Sequence, residues 1–364
     1  MPAQDFIPQM EPCLDEKEVE AMTRYLQSGG WLTEFRETQE FERRIAEYTG
    51  ARFCFAVNNG TIALTSSLLA FGIGVGDEVL VPDLTMIATA NCATLIGAKP
   101  IFVDIDKSSL CMDIEKAAEA ITPRTKALIH VSFNGRANDL DEFIELCRRK
   151  DIYLIEDAAQ SLGSTCKGRH LGTFGEIGVF SFSSPKIITT GQGGALVTDD
   201  ENIAARLGKI KDFGRLGGGN DVHDSIGYNF KFTDLQAVIG NTQMSNLDWR
   251  VSRKKEIYNI YSDRLYDIEA LELIPTETDE TTPWFIDVYV DNRDILQDYL
   301  TQNGFGSRPI YPPIHSQRAY GYGASFPVTE HYSSRGLWLP SSLLLTDDEI
   351  NRICDTVKKY FREL

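Results

Sequence analysis

From about residue 43 to residue 200, short apolar strands alternate with helical patterns, and this rhythm constrains the fold more than any other feature of the chain. Glu78-Val-Leu-Val-Pro82 reads as a strand, the Ala/Thr-rich run over 86–96 as a helix, and Pro100-Ile-Phe-Val-Asp104 as the next strand. Strands over 126–131 and 153–156 continue the series, and residues 140–150 between them carry apolar side chains at helical spacing. A βαβα order predicts a mainly parallel sheet covered on both faces. Ligands of such sheets bind beyond the carboxyl ends of the strands. After Asp157 the rhythm changes. Short strands over 178–182 and 194–198 have little between them, which points to antiparallel or edge pairing.

One long helix is expected over 234–261, linking a large domain (residues 1–245) to a smaller one (246–364). The smaller domain mixes a strand over 284–290 with helices over 294–303 and 346–361, an α+β pattern, and the N-terminal residues are free to pack with it.

Net charge narrows the partners. Lys and Arg number 36 against 53 Asp and Glu, a balance of −17. A surplus of carboxylates opposes extended contact with nucleic acid or an anionic membrane surface, where binding is driven by basic side chains. No basic-then-apolar leader opens the chain and no run approaches ~18 uninterrupted apolar residues, so a cytoplasmic protein is expected. Seven widely spread cysteines without a CxxC pair, and five histidines without an HExxH spacing, point to no metal centre. Gly72-Ile-Gly74-Val-Gly76 precedes a strand instead of following one and reads as a turn, not a dinucleotide loop. Gly214 with Gly217-Gly218-Gly219 reads as a mobile loop.

Three separated segments carry chemistry. In Asn58-Asn59-Gly60-Thr61-Ile-Ala-Leu a Gly-Thr step opens an apolar helix, whose free N–H groups and the Thr61 hydroxyl suit a phosphate; such residues also simply start helices. Ile155-Glu156-Asp157-Ala158-Ala159-Gln160 puts a carboxylate at the end of an apolar strand, where it can pair with a protonated pyridine nitrogen or merely cap a helix. Ser181-Phe-Ser-Ser-Pro-Lys186-Ile-Ile-Thr-Thr-Gly-Gln-Gly-Gly194 surrounds Lys186 with small and apolar neighbours, a setting that depresses an amine pKa and makes it nucleophilic toward an aldehyde. A phosphate cup, a carboxylate and a Schiff-base lysine together describe pyridoxal 5′-phosphate.

With these residues in view, the chain resembles the DegT/DnrJ/EryC1/StrS aminotransferases, sugar aminotransferases of the fold type I (aspartate aminotransferase-like) superfamily. The likeness starts at Ser28-Gly-Gly-Trp31-Leu-Thr33. It runs through the three segments above and Gly227-Tyr-Asn229-Phe-Lys-Phe-Thr-Asp-Leu-Gln-Ala237 to Ser307-Arg-Pro-Ile-Tyr-Pro-Pro-Ile-His315 and Leu337-Trp-Leu-Pro340. It implies an α/β fold type I PLP-dependent transferase, a homodimer with shared active sites. Lys186 would form the internal aldimine and move the proton between cofactor and substrate. Asp157 would hold the pyridinium, and Gln160 the ring's phenolic oxygen. Gly60, Thr61 and Ser181 would hold the phosphate, joined by Asn229 of the partner subunit. Met86 stands where relatives usually stack an aromatic ring on the cofactor; a thioether covers a π-face with less area. Ser132 replaces a histidine common in relatives, and the glycine usual shortly after Trp31 is missing. Arg308 and His315 would contact the sugar nucleotide or the donor carboxylate.

The family's dehydratase branch carries histidine in place of the lysine, so Lys186 implies transamination. The run after Lys186 resembles 4-aminotransferases that act on nucleotide-linked 4-keto-6-deoxyhexoses with L-glutamate as donor, by a ping-pong route. The alternatives are amination of a 3-keto-sugar or cyclitol on the same scaffold, or a non-catalytic regulatory member of the family.

Overall fold

The computed structural model describes residues 6–216, 220–321 and 323–363; the expected loop glycines Gly217, Gly218 and Gly219 lie outside them. The strands are β1 (Phe53–Val57), β2 (Glu78–Pro82), β3 (Lys99–Val103), β4 (Thr125–Val131), β5 (Tyr153–Asp157), β6 (Thr165–Cys166), β7 (Arg169–His170), β8 (Ile177–Ser181), β9 (Gly194–Thr198), β10 (Glu272–Leu273), β11 (Ile286–Tyr289), β12 (Arg308–Pro309) and β13 (Gly336–Leu339). The helices are α1 (Glu16–Gln27), α2 (Arg36–Thr49), α3 (Gly60–Ala70), α4 (Ala88–Leu95), α5 (Ile114–Ala120), α6 (Leu140–Lys150), α7 (Glu201–Lys211), α8 (Asp234–Met244), α9 (Leu247–Leu265), α10 (Arg293–Gln302), α11 (Pro327–Arg335) and α12 (Asp347–Glu363).

Seven strands form the large sheet in the order β1-β9-β8-β5-β4-β2-β3. The pairs β2/β3, β2/β4, β4/β5 and β5/β8 are parallel, whereas β9 runs antiparallel to both β8 and β1. The mainly parallel α/β sheet expected from the alternation is therefore present. Of the two pairings open to the short strands, β9 takes the antiparallel one and lies inside the sheet.

Period-two alternation sends the apolar residues of these strands to both faces. Val79 and Val81 of β2, Ala127 and Ile129 of β4 and Ile155 of β5 pack with Leu64 and Leu68 of α3, Ala93 of α4 and Leu207 of α7. The residues between them, Leu80, Leu128 and Leu154, pack on the opposite face with Ala117 of α5 and with Phe143 and Leu146 of α6. Farther along that face, Ala195 and Val197 of β9 meet Phe41 and Ile45 of α2.

A second, four-stranded antiparallel sheet has the order β10-β11-β13-β12. Ile286 and Val288 of β11 and Leu337 and Leu339 of β13 face α9, α10 and α12, while Tyr289 and Trp338 face back into a cluster with Leu84 and Phe133 of the large sheet's side. Ile7 joins the first of these clusters and bridges to Phe305.

The single helix expected over 234–261 is two helices, α8 and α9, broken at Ser245 and Asn246. The carbonyl of Asn241 is the acceptor a continuous helix would offer to the Ser245 N–H. It instead accepts from the Arg44 guanidinium at 2.9 Å and the Ser245 hydroxyl at 3.1 Å. Serine and asparagine compete with the helical backbone in this way, and a tertiary cation helps them win. Among the described residues, no helix is long and apolar enough to cross a membrane.

Candidate active site

Strands β1, β5 and β8 end at one cleft of about 580 Å³, between the large sheet and the inner face of the small one. At its floor α3 begins. The Asn59 side chain caps the helix by accepting from the Ile62 N–H at 2.9 Å, and Gly60 and Thr61 line the cleft at the helix start. The missing side chain of Gly60 matters, because a Cβ there would stand 3.1 Å from Cβ of Ser181, the last residue of β8. Gly194 opens β9 for a related reason: its Cβ would fall 2.5 Å from the Asn59 carbonyl carbon. Two glycines thus let a helix N-terminus and the Ser181 hydroxyl close on one point, a ready site for an anion.

Asp157 closes β5 and is nearly buried. Its carboxylate accepts from the Thr89 hydroxyl at 2.8 Å and the Ala159 N–H at 3.2 Å. Burial raises its pKa, opposed by the Thr89 hydroxyl, the Ala159 N–H and the charge of Lys186. Asp157 starts no helix, so the capping alternative does not apply. Lys186 follows Pro185 and lines the same cleft. Burial pushes its amine down to about 7; Asp157 opposes the fall and Arg308 adds to it. An amine near that value is substantially neutral at physiological pH and able to attack an aldehyde.

Gln160 also lines the cleft, its Oε1 accepting from the Asn134 main-chain N–H at 2.7 Å. With the oxygen occupied, the amide NH2 is left to donate elsewhere. Met86 lies at the rim, 48% exposed. Arg308 opens β12 and lines the cleft with its guanidinium over the rings of Trp338 (5.1 Å) and Tyr311 (5.9 Å). Among the described residues no carboxylate lies in ion-pair reach of it.

Gly60, Thr61, Met86, Asp157, Gln160, Ser181, Lys186 and Arg308 are therefore brought together. Asn229 and His315 are not among the residues lining that cleft. Asn229 is exposed on a segment that pairs with Asp212 at the end of α7. His315 is held instead by Asp83 beyond β2: its main-chain N–H donates to one carboxylate oxygen at 2.8 Å, and Nδ1 lies 2.6 Å from the other.

Sequence reasoning missed four residues of this site. Trp284 carries the Lys186 amine 3.7 Å above its ring centroid, Thr89 holds Asp157, Asn134 holds Gln160, and Tyr311 walls the cleft. Thr89 sits in an Ala/Thr-rich helix, Trp284 at the start of an apolar run and Asn134 before a glycine; nothing local marks any of them as functional.

The DegT/DnrJ/EryC1/StrS aminotransferase family matches residues 12–358. GDP-perosamine synthase of Escherichia coli O157:H7 is 35% identical over 98% of this chain and 99% of its own. Among solved structures, S. venezuelae DesV in complex with a ketimine intermediate superposes with a TM-score of 0.93 at 29% identity, over 100% of both chains. The PLP form of the Streptococcus pneumoniae protein Spr1654 gives a TM-score of 0.93 at 27% identity, over 98% of this chain and 99% of that one.

Proposed function

Because the chain belongs to the DegT/DnrJ/EryC1/StrS aminotransferase family and is itself a sugar aminotransferase, we propose that it moves the amino group of L-glutamate to the C4 ketone of a nucleotide-linked 4-keto-6-deoxyhexose, with pyridoxal 5′-phosphate as cofactor. The observation that carries this reading is the single cleft joining Lys186, Asp157, Gln160 and the start of α3. The residues fit the group: the cradle between Gly60 and Ser181 would be filled by a single Cβ, and the donors around it are those a phosphate takes.

When bound, the cofactor supplies an electron sink for carbanion chemistry. The chain supplies position and charge. Gly60, Thr61 and Ser181 would hold the phosphate. Asp157 would keep the ring nitrogen protonated, and the NH2 of Gln160 would be the donor for the ring oxygen. Met86 would shield the ring from the rim of the cleft. Lys186, with its lowered pKa, would take the proton from the glutamate carbon as a neutral amine and give it up as an ammonium to the cofactor within the same half-reaction; the reverse shift on the sugar completes the ping-pong cycle. Arg308 has no carboxylate partner among the described residues and is available to a carboxylate or diphosphate of the substrate. In a homodimer Asn229 would join the residues that hold the phosphate of the partner subunit. Exposed Leu216, Val222, Ile226 and Tyr228 near it support a protein contact there. His315 acts as a strut for the end of β2.

Amination at C4, not C3, is supported by the likeness of the run after Lys186 to 4-aminotransferases and by the similarity to GDP-perosamine synthases. The test is to load the protein with pyridoxal phosphate, record absorbance near ~420 nm, and add glutamate; bleaching is expected. Product mass after adding nucleotide-linked 4-keto, 3-keto and cyclitol ketone substrates then separates the chemistries. Turnover of glutamate and keto-sugar by Lys186→Ala overturns the reading.

A further inference from the structure

The amine of Lys186 has no carboxylate or hydroxyl within hydrogen-bond reach among the described residues. Its close neighbour is an aromatic face: Nζ stands 3.7 Å from the centroid of the Trp284 ring. A cation so placed is attracted by the negative face of the π system, and indole has the strongest of the protein rings.

Trp284 is held firmly enough to serve as a seat. Its Nε1–H donates to the Pro185 carbonyl at 2.7 Å, which fixes the ring against the residue just before Lys186. Its own carbonyl accepts from the buried amine of Lys254 at 2.8 Å, and its main-chain N–H reaches the Asn134 carbonyl at 3.4 Å. The ring stacks on Phe285 (3.8 Å, 21°) and meets Trp338 at 67°. Bonds to α9 and to the turn after β4 hold its main chain, and the bond to the loop after β8 holds its ring, on a residue 5% exposed.

We infer that Trp284 is a further catalytic residue of this site, whose indole face receives the Lys186 ammonium whenever that amine is unbonded and keeps it aimed into the cleft. An amine that shuttles a proton is neutral when it takes the proton and charged until it gives it up, once in each half-reaction. The ring stabilises the charged form without forming a hydrogen bond that would have to break before the amine moves. The other groups facing Lys186 are Asp157 of β5, which favours the ammonium, Arg308 of β12, which opposes it, and Tyr311, which lines the same cleft. The inference rests on the proposed function only in naming Lys186 as the reacting amine.

Competitive acetylation of cofactor-free protein with acetic anhydride, followed by mass spectrometry of the Lys186 peptide, gives the pH at which Lys186 is half reactive. Trp284→Leu keeps apolar bulk and removes the quadrupole, so the midpoint falls by about half a pH unit or more; Trp284→Phe recovers part of the fall. An unchanged or raised midpoint in Trp284→Leu overturns the inference. If that variant does not fold, 5-fluorotryptophan incorporation weakens the ring's face with its shape kept, and the midpoint must fall in the same direction or the inference fails. No substrate or cofactor enters this measurement, so it stands or falls apart from the assay of glutamate and keto-sugar.

Discussion

Asn134 donates its main-chain N–H to Oε1 of Gln160 at 2.7 Å, while its side chain pairs with both the N–H and the C=O of Phe285 and donates to Asp287. One residue thus connects the cleft's amide to β11 of the small sheet, and it does so at φ +57°, in the left-handed region. Asparagine tolerates that conformation better than most residues and can also fill the buried bonds.

Two consequences of Asn134 can be separated. Asn134→Ala loses the buried bonds and strains the backbone; Asn134→Gly loses the bonds alone. Denaturant unfolding should place alanine below glycine by about 1 kcal/mol. Equal stabilities would mean the left-handed conformation carries no cost. Both variants should also bind pyridoxal phosphate more weakly in equilibrium dialysis, because the main-chain N–H that orients Gln160 loses its anchorage to Phe285 and Asp287.

Arg136 and Asp287 form a buried pair at 2.7 Å, with Tyr289 donating to the same carboxylate. Burial works to raise the Asp287 pKa, yet Arg136 and Tyr289 outweigh it and hold the carboxyl below its ordinary range. Arg136→Met leaves that charge unpaired and should cost about 3–5 kcal/mol. Arg136→Met with Asp287→Leu should recover a large part of the loss in the same unfolding experiment.

Thr89→Val removes the hydroxyl that favours ionised Asp157 while keeping side-chain shape. Asp157 then protonates at higher pH. Affinity for pyridoxal phosphate, titrated from about pH 8 to pH 5, should begin to fall earlier than in the wild type. Parallel curves would show that Thr89 does not tune the carboxylate.

Burial pushes Lys254 down to about 7, and its amine donates to the carbonyls of Trp284 and Ser341. In the unfolded chain a lysine titrates near about 10.4. Between these values the unfolded state binds more protons than the folded one, so stability rises with pH. Lys254→Met should flatten that rise in Tm between pH 7 and about pH 9. A slope as steep as the wild type's would mean that the amine stays charged when folded.

Arg308 and His315, both expected to meet substrate, should respond differently. Arg308→Ala raises KM for substrate with Tm nearly unchanged, since the guanidinium is exposed and rests only on rings. His315→Ala lowers Tm by taking the imidazole from buried Asp83, which keeps only the main-chain N–H of residue 315, at roughly 2–4 kcal/mol. A KM effect without a stability effect at His315 would return it to the cleft.

The alternation of strand and helix, the helix start at Asn59-Gly60-Thr61 and the placement of Asp157 at a strand's end were all legible in the chain. Each depends on residues close together in sequence, through the periods of strand and helix and the unpaired N–H groups of a first turn. The partners that give those residues their chemistry lie far away along the chain. Thr89 reaches Asp157 across 68 positions, Asn134 reaches Gln160 across 26, and Trp284 is bonded to Pro185 across 99. The break between α8 and α9 likewise depends on Arg44, 197 positions from the carbonyl it takes. Sequence alone determined the strand–helix alternation of the large sheet and the placement of Gly60, Thr61 and Asp157 at its carboxyl edge. Tertiary packing decided which groups hold Asp157, Gln160 and Lys186, that β9 sits inside the sheet, and that His315 belongs to Asp83, because a pKa or an orientation is set by whatever surrounds a group in space.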